Sequence, residues 1–288
     1  MTTNALETDA LETSQDMYKR LQELHPEPYA TVLCLSGGGD SLAAYAAAKM
    51  MGIRIDYLLH VRTGTGIAQT TEFVRQFAKS QRIPLILADA GDAYERYVLR
   101  KGFFGVGQRA HSFSWHVLKK QPLERGISEF IRQRRRNRTV ILLNGARLNE
   151  SKNRRQNLAK KGDIRPMQAG SKNVWANLIH HWSKSDCRAA VAECNLKTNP
   201  VSDVLCRSAE CMCGTAQSQD DRREAAFWYP EWGAWLDDLE GRVTERFPWR
   251  WGETPPEAWK LEERGQLRLF DKASFQPMCS GCTRGLTQ

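Results

Sequence analysis

No stretch of apolar residues in this 288-residue chain approaches the roughly 20 that a helical membrane span requires. The N-terminus carries Glu7, Asp9, Glu12 and Asp16, where a secretory leader is basic and then apolar. Internal repeats and low-complexity tracts are missing as well. These absences lead us to expect a cytoplasmic globular protein with no membrane partner. Two nucleotide signatures are also lacking. No Gly-Lys-Ser/Thr follows the glycine-rich stretch, so it is not a Walker loop, and its spacing is not the G-x-G-x-x-G of a dinucleotide site.

What the chain does have is an excess of basic over acidic residues, giving a formal net charge of +9, and a hydrophobic fraction of 41% that suits a soluble core. The charge points to anionic partners, a nucleotide or a nucleic acid, against the plainer reading of a basic solvated surface.

The most informative stretch is Ser36-Gly37-Gly38-Gly39-Asp40-Ser41. It follows the apolar run 30–35 and precedes the alanine-rich run 42–51, a pattern of strand, tight loop and helix. Glycines let the backbone approach a ligand closely, and the helix N-terminus behind them offers unpaired N–H groups to phosphate. Ser36 and Ser41 add hydroxyls, and Asp40 is placed to cap the helix or to help hold Mg²⁺.

Further strands are expected at 53–59, 84–87, 139–143 and 174–179, alternating with helices at 68–81, 92–100, 111–136 (broken or restarted at Pro122) and 183–193, the last capped by Ser183. Such alternation predicts an α/β fold with a doubly wound, mostly parallel sheet, in which ligands sit beyond the strands' carboxyl ends. Arg147 falls just past one such end, where its planar guanidinium can grip a phosphate or pair with Glu150. Residues 1–28 read as a polar tail with a short helix near 17–24. Residues 29–198 read as the nucleotide-binding domain. Residues 199–288 read as a helical, Trp-rich, Cys-containing subdomain in which the aromatics pack or stack on bases. The arginine run 132–136 reads as a solvated face or a nucleic-acid contact.

Eight cysteines in a chain of this kind argue for metal or redox chemistry over disulfides. Cys206-x4-Cys211-x-Cys213 and Cys279-x2-Cys282 form two groups that could share one metal site, with one thiol to spare. Zinc would staple the C-terminal segment, and a [4Fe–4S] cluster would serve structure or sulfur chemistry. Cys34, Cys187 and Cys194 read as packing residues.

Taken together, these stretches resemble the PAPS reductase-like family of PP-loop ATP pyrophosphatases. The resemblance rests on Ser36 to Ser41, and on His60-x-x-Thr63-Gly64-Thr65-Gly66 followed by Thr70 or Thr71 and by Glu72. It continues through Leu118-Lys119-x-x-Pro122-Leu123, Gly145-x-Arg147-x-x-Glu150-Ser151, Asn199-Pro200 and Glu210-Cys211-x-Cys213-Gly214. It spans about residues 29–216. The resemblance implies an adenine nucleotide alpha hydrolase-like fold. It implies nucleotide phosphates on the 36–41 loop, Thr63 and Gly64 lining the nucleotide site, and Arg147 and Lys119 touching phosphate or substrate. Ser36, Asp40 and Arg147 become the candidate catalytic residues, with ATP and Mg as cofactors.

Two occupations follow from the family. One adenylates an oxygen so that sulfur can replace it, as in the DNA phosphorothioation (DndC- or SspD-like) branch, with DNA or another nucleic acid and a cysteine desulfurase or other sulfur donor as partners. The other reduces APS or PAPS. The reductase tail Glu-Cys-Gly-Leu-His is absent here, where 279–285 reads Cys-Ser-Gly-Cys-Thr-Arg-Gly, and this favours the pyrophosphatase. A distant cysteine pair beside clustered cysteines is a layout shared with cluster-bearing APS reductases and keeps the second occupation open. A third class is a zinc-stapled module that binds nucleotide or nucleic acid without catalysis.

Overall fold

The computed structural model describes residues 8–131, 139–168 and 171–263. The first residues of the expected tail, the arginine run 132–136 and the Cys279-x2-Cys282 pair lie outside them.

Six strands form one sheet among the described residues: β1 (Ala30–Cys34), β2 (Tyr57–Arg62), β3 (Leu85–Asp89), β4 (Val140–Asn144), β5 (Ile164–Pro166) and β6 (Val174–Asn177), in the order β3-β2-β1-β4-β6-β5. All neighbours run parallel except β5, which pairs antiparallel with β6. The expected doubly wound α/β sheet is therefore present. The chain winds outward from β1 in both directions, so the crevice between the carboxyl ends of β1 and β4 is the topological switch point.

The strands read as unbroken apolar runs because both faces are covered. Val32, Val140 and Leu142 point to one side with Ile127 of α6 (Gln121–Phe130). Leu33, Ile141 and Leu143 point to the other, against α1 (Thr8–Leu24), α2 (Gly39–Met50), α3 (Ala68–Gln81) and α8 (Lys184–Glu193). Small residues let α2 approach α8 closely: Ala43, Ala44, Ala46 and Ala47 are fully buried in one cluster with Cys187 and Ala190.

The N-terminal segment corrects the expectation of a polar tail. Helix α1 spans 17 residues, and Ala10, Ser14, Met17 and Leu21 recur at helical spacing on its inner face. Met17 and Leu21 are buried, and the Trp182 indole N–H donates to Ala10 O at 2.7 Å. Leu21→Ala is expected to cost about 2–5 kcal/mol of stability, read by urea denaturation.

Strand β2 starts later than the alternation at 53–59 implies. Ile53 N donates to Ala48 O, closing the end of α2, and the Asp56 carboxylate accepts from Thr31 N, so the ladder begins only at Tyr57. The helical region 108–130 is not broken at Pro122. Helix α5 (Gln108–Trp115) passes through one π turn, His116–Lys120, into α6, and Pro122, which has no N–H to give the ladder, falls directly after that turn, where the helical hydrogen-bond register changes. Strand β5 is too short to stand out in the sequence, and its Pro166 is tolerated because the strand is at the sheet edge.

Helices α4 (Ala93–Lys101), α7 (Lys152–Lys161), α9 (Pro200–Leu205), α10 (Gln219–Trp228), α11 (Pro230–Thr244) and α12 (Glu257–Glu263) complete the order. A separate core gathers Tyr94, Val98, Leu236, Leu239, Phe247, Trp249 and Trp251. Most of the described aromatics beyond residue 200 thus pack, as expected. No described helix is long and apolar enough to cross a membrane.

Candidate nucleotide site

The loop after β1 turns on Gly37, whose φ of +80° suits glycine, and where a Cβ would stand 2.9 Å from Thr70 Cγ2. Asn199 pins this turn from a distant part of the chain: its amide donates to Gly37 O at 3.1 Å and to Thr70 Oγ1 at 3.2 Å. Ser41 Oγ donates to Gly38 O at 2.8 Å and accepts from Ser36 N at 3.2 Å, while Gly38 N donates to Ser36 Oγ. Gly38 is the N-cap of α2 and no side chain caps it. The amides of Gly39 and Asp40, in the first turn, therefore have no acceptor within the helix.

Asp40 does not cap. Its Oδ2 accepts from Arg147 at 3.0 Å and its Oδ1 from Lys184 at 3.1 Å. Each carboxylate oxygen thus takes one hydrogen bond from a cation and keeps a further lone pair, with which Asp40 would help hold the Mg²⁺ that accompanies the nucleotide's phosphates. The charge of Glu150, the expected alternative partner, also favours the charged form of Arg147.

Arg147 is held at the end of β4 by a close backbone approach. A Cβ on Gly145 would lie 2.3 Å from Asp40 O, so only glycine lets the two loops meet. The Arg147 side chain is 6% exposed. Burial works against its charge, but the hydrogen bond and charge of Asp40 outweigh that and raise its pKa. Its Nε has no partner within the protein, a buried donor that water or a ligand must satisfy.

These groups border a cleft of about 770 Å³ at the carboxyl ends of β1 and β4. Ser36, Gly38, Gly39, Asp40, Ser41 and Arg147 line it, and so does Lys119 from the π turn. Its walls carry further positive charge from Lys120, Lys161, Arg165, Lys184 and Arg207. Thr63 and Gly64 are not among the lining residues. Thr63 is fully buried and donates its N–H to Glu210 Oε1 at 2.9 Å. Gly64 φ is +75°, and a Cβ there would meet Gly91 O at 2.6 Å. Gly37 likewise lies behind the surface.

Sequence reasoning passed over Lys184, Arg207 and the role of Glu210. Glu210 is 3% exposed and lines the cleft. It joins Thr63 N to His60 Nε2, which stands 3.1 Å from its Oε2; His60 also bonds Leu35 O and Thr71. This network ties the segment 206–213 to the ends of β1 and β2. The only local signal was Glu210 beside Cys211.

The three described cysteines of the expected metal set do not gather. Cys206 is exposed, in left-handed backbone (φ 54°), on the cleft wall. Cys211 and Cys213 stand with their sulfurs 3.8 Å apart. Two thiolates on one tetrahedral zinc, each bonded at about 2.3 Å, stand about that far apart, so this pair fits one edge of such a site. Among the described residues no group of three or more His, Cys, Asp or Glu forms a metal site.

The hydrogen bond from Cys211 lowers Cys213 to about 5 against the effect of burial, helped by the Thr215 and Ser114 hydroxyls; the same bond raises Cys211 well above its ordinary value. In the metal-free protein the Cys211–Cys213 pair is therefore expected to carry one thiolate at neutral pH. Its absorbance should persist down to about pH 5 and vanish in Cys213→Ser. Cys34 and Cys187 are pushed up to about 12, chiefly by burial, as packing residues should be.

A profile of the phosphoadenosine phosphosulfate reductase domain matches residues 30–217. No curated protein matches the chain. Solved structures similar to it include a phosphoadenylyl-sulfate (PAPS) reductase from Candida auris in a phosphate complex, at 14% identity and TM-score 0.45, covering 70% of this chain and 94% of that one. Another is the U34-tRNA thiolase NcsA from Methanococcus maripaludis with its [4Fe–4S] cluster, at 15% identity and TM-score 0.48, covering 93% and 86%. A third is an NMN synthetase from Francisella tularensis, at 16% identity and TM-score 0.44, covering 90% and 97%. Likenesses this distant say nothing of substrate.

Proposed function

Because the chain belongs to the phosphoadenosine phosphosulfate reductase domain family, we propose that it is a PP-loop ATP pyrophosphatase that adenylates an oxygen of a nucleic-acid acceptor, in preparation for sulfur incorporation such as phosphorothioation. The observation that carries this reading is the buried Arg147, paired to Asp40 of the loop and keeping one nitrogen unpartnered at a basic cleft.

The nucleotide phosphates seat over the amides that begin α2, and Arg147 and Lys184 flank them. The acceptor oxygen attacks the α-phosphorus, the bond from that phosphorus to the α–β bridging oxygen breaks, and pyrophosphate leaves. Charge that builds on the departing oxygens meets the loop amides, Arg147, Lys184 and the Mg²⁺ that arrives with ATP. Asp40 holds both cations in place before the nucleotide arrives. A persulfide sulfur carried by a donor protein such as a cysteine desulfurase then displaces AMP from the acceptor, and a second thiol cleaves the resulting mixed disulfide, leaving the thiolated acceptor and a disulfide on the donor.

Cys211 and Cys213 would hold part of a zinc or [4Fe–4S] site, with further thiolates from among Cys206, Cys279 and Cys282. Zinc there would supply a structural staple, and a cluster a sulfur-handling centre.

The test uses oxygen-free protein given Mg-ATP or PAPS, with and without nucleic acid, with pyrophosphate and sulfite measured in the same tubes. Pyrophosphate from ATP, lost in Ser36→Ala and Asp40→Ala, is the expected result. Sulfite from PAPS, lost on replacing Cys279 or Cys282, would replace this reading with reduction.

A further inference from the structure

Of the nine tryptophans, Trp175, Trp235 and Trp259 are half-buried, and the other six divide into two kinds. Trp182, Trp232, Trp249 and Trp251 are buried, and each donates its indole N–H to a backbone carbonyl. Trp115 and Trp228 are not buried: they are 44% and 54% exposed.

Trp115 lines the cleft at the end of α5, beside the π turn that brings Lys119 and Lys120 to the same wall. Its neighbour Ser114 is 1% exposed and bonded to His111 O, with Thr215 and Cys213 against it. One side of α5 is therefore fixed in the interior while Trp115 is left at the cleft. Trp228 ends α10, next to Phe227, which is 76% exposed. Helix α10 is fastened to the cleft wall by Arg207, which pairs with Asp221 and Glu224. Trp228 follows these residues by seven and four positions, so it continues their stripe along the helix. Large aromatics left at the surface beside a cationic cleft have the chemistry of a base-stacking platform, with π faces for bases and cations for phosphates.

We propose that the acceptor is single-stranded, and that an unpaired nucleotide enters the cleft with its base on the Trp115 indole and its phosphate against Lys119. The strand leaves across Arg207 toward Trp228 and Phe227. A duplex presents base edges rather than faces, so an indole inside a cleft engages only a base that is out of the stack. This assignment rests on the acceptor being a nucleic acid, as proposed above.

The test measures anisotropy of short labelled single-stranded DNA and RNA, and of the matching duplex, without ATP. ATP affinity and pyrophosphate release are measured on the same preparations. Single strands should bind more tightly than duplex. Trp115→Ala should weaken them by about tenfold or more, Trp228→Ala by less, and Trp115→Phe should bind nearly as wild type. ATP affinity should be unchanged throughout, and the DNA and RNA arms identify the sugar.

Equal affinity for duplex, or unaltered single-strand binding in Trp115→Ala, would overturn the assignment. So would a loss of ATP affinity in that variant, which would give the indole to the adenine. Trp115-dependent strand binding by a protein that never releases pyrophosphate would uphold the platform and defeat adenylation. Pyrophosphate release with strand binding indifferent to Trp115 would do the reverse.

Discussion

Arg147→Ala is expected to lower pyrophosphate release from ATP at least about a hundredfold while leaving the fold intact. Arg147 is the one cleft cation that is almost wholly buried, and its pair with Asp40 fixes it before the nucleotide arrives. Removing one preorganised donor to a developing oxyanion typically costs 10²–10³ in rate, roughly 3–4 kcal/mol. Asp40 keeps its contact with Lys184, which is 53% exposed and has no planar fork, so the loop stays charged but loses its rigid, buried donor. Arg147→Lys should recover only part of the loss, because an ammonium replaces two directed donors with one point charge. Steady-state pyrophosphate measurements, with circular dichroism as a control for folding, decide this. Full activity in Arg147→Ala would mean that the arginine merely braces the loop.

The second large effect lies in the backbone. Gly145→Ala puts a methyl group 2.3 Å from Asp40 O, 2.6 Å from its carbonyl carbon and 2.9 Å from Ser41 N. None of these atoms is a flexible side-chain end, so the β4 loop and the start of α2 must separate. We expect a loss of more than about 4 kcal/mol or failure to accumulate soluble protein. Gly241→Ala is the internal control. A Cβ there meets nothing within 4 Å on the exposed side of α11, and alanine in a helix interior is worth up to about 1 kcal/mol over glycine. Urea denaturation of both variants separates a local steric requirement from a general intolerance of substitution.

The parts of this site that could be read from the sequence are those built from neighbours in the chain. Strand, glycine turn and helix are contiguous from Ala30 to Met50, and Ser183 with Asp186 three residues on signals a capping box that the structure contains. Arg147 was legible because it follows an apolar strand immediately. The contacts that tune the site join residues far apart in sequence: Lys184 to Asp40 across 144 residues, Asn199 to Gly37 across 162, and Glu210 to Thr63 across 147. No local period or composition encodes such pairs; they exist only once the sheet has brought the strand ends together. Thr63, which the resemblance places beside the nucleotide, is joined to Glu210 by one of these distant contacts. The extent of the N-terminal helix is hard to read because its exposed face is so polar that three buried positions, Ser14, Met17 and Leu21, are easily lost among seventeen residues. Where β2 begins was settled by Asp56 and Ile53, whose partners lie on β1 and α2.

The measurement that bears most directly on the central claim follows ATP labelled at the α-phosphorus, with single-stranded nucleic acid present and the sulfur donor withheld. The account predicts pyrophosphate in step with label that appears as AMP or on the acceptor, both abolished in Arg147→Ala. Label recovered as ADP, or an inert ATP beside sulfite made from PAPS, would contradict it.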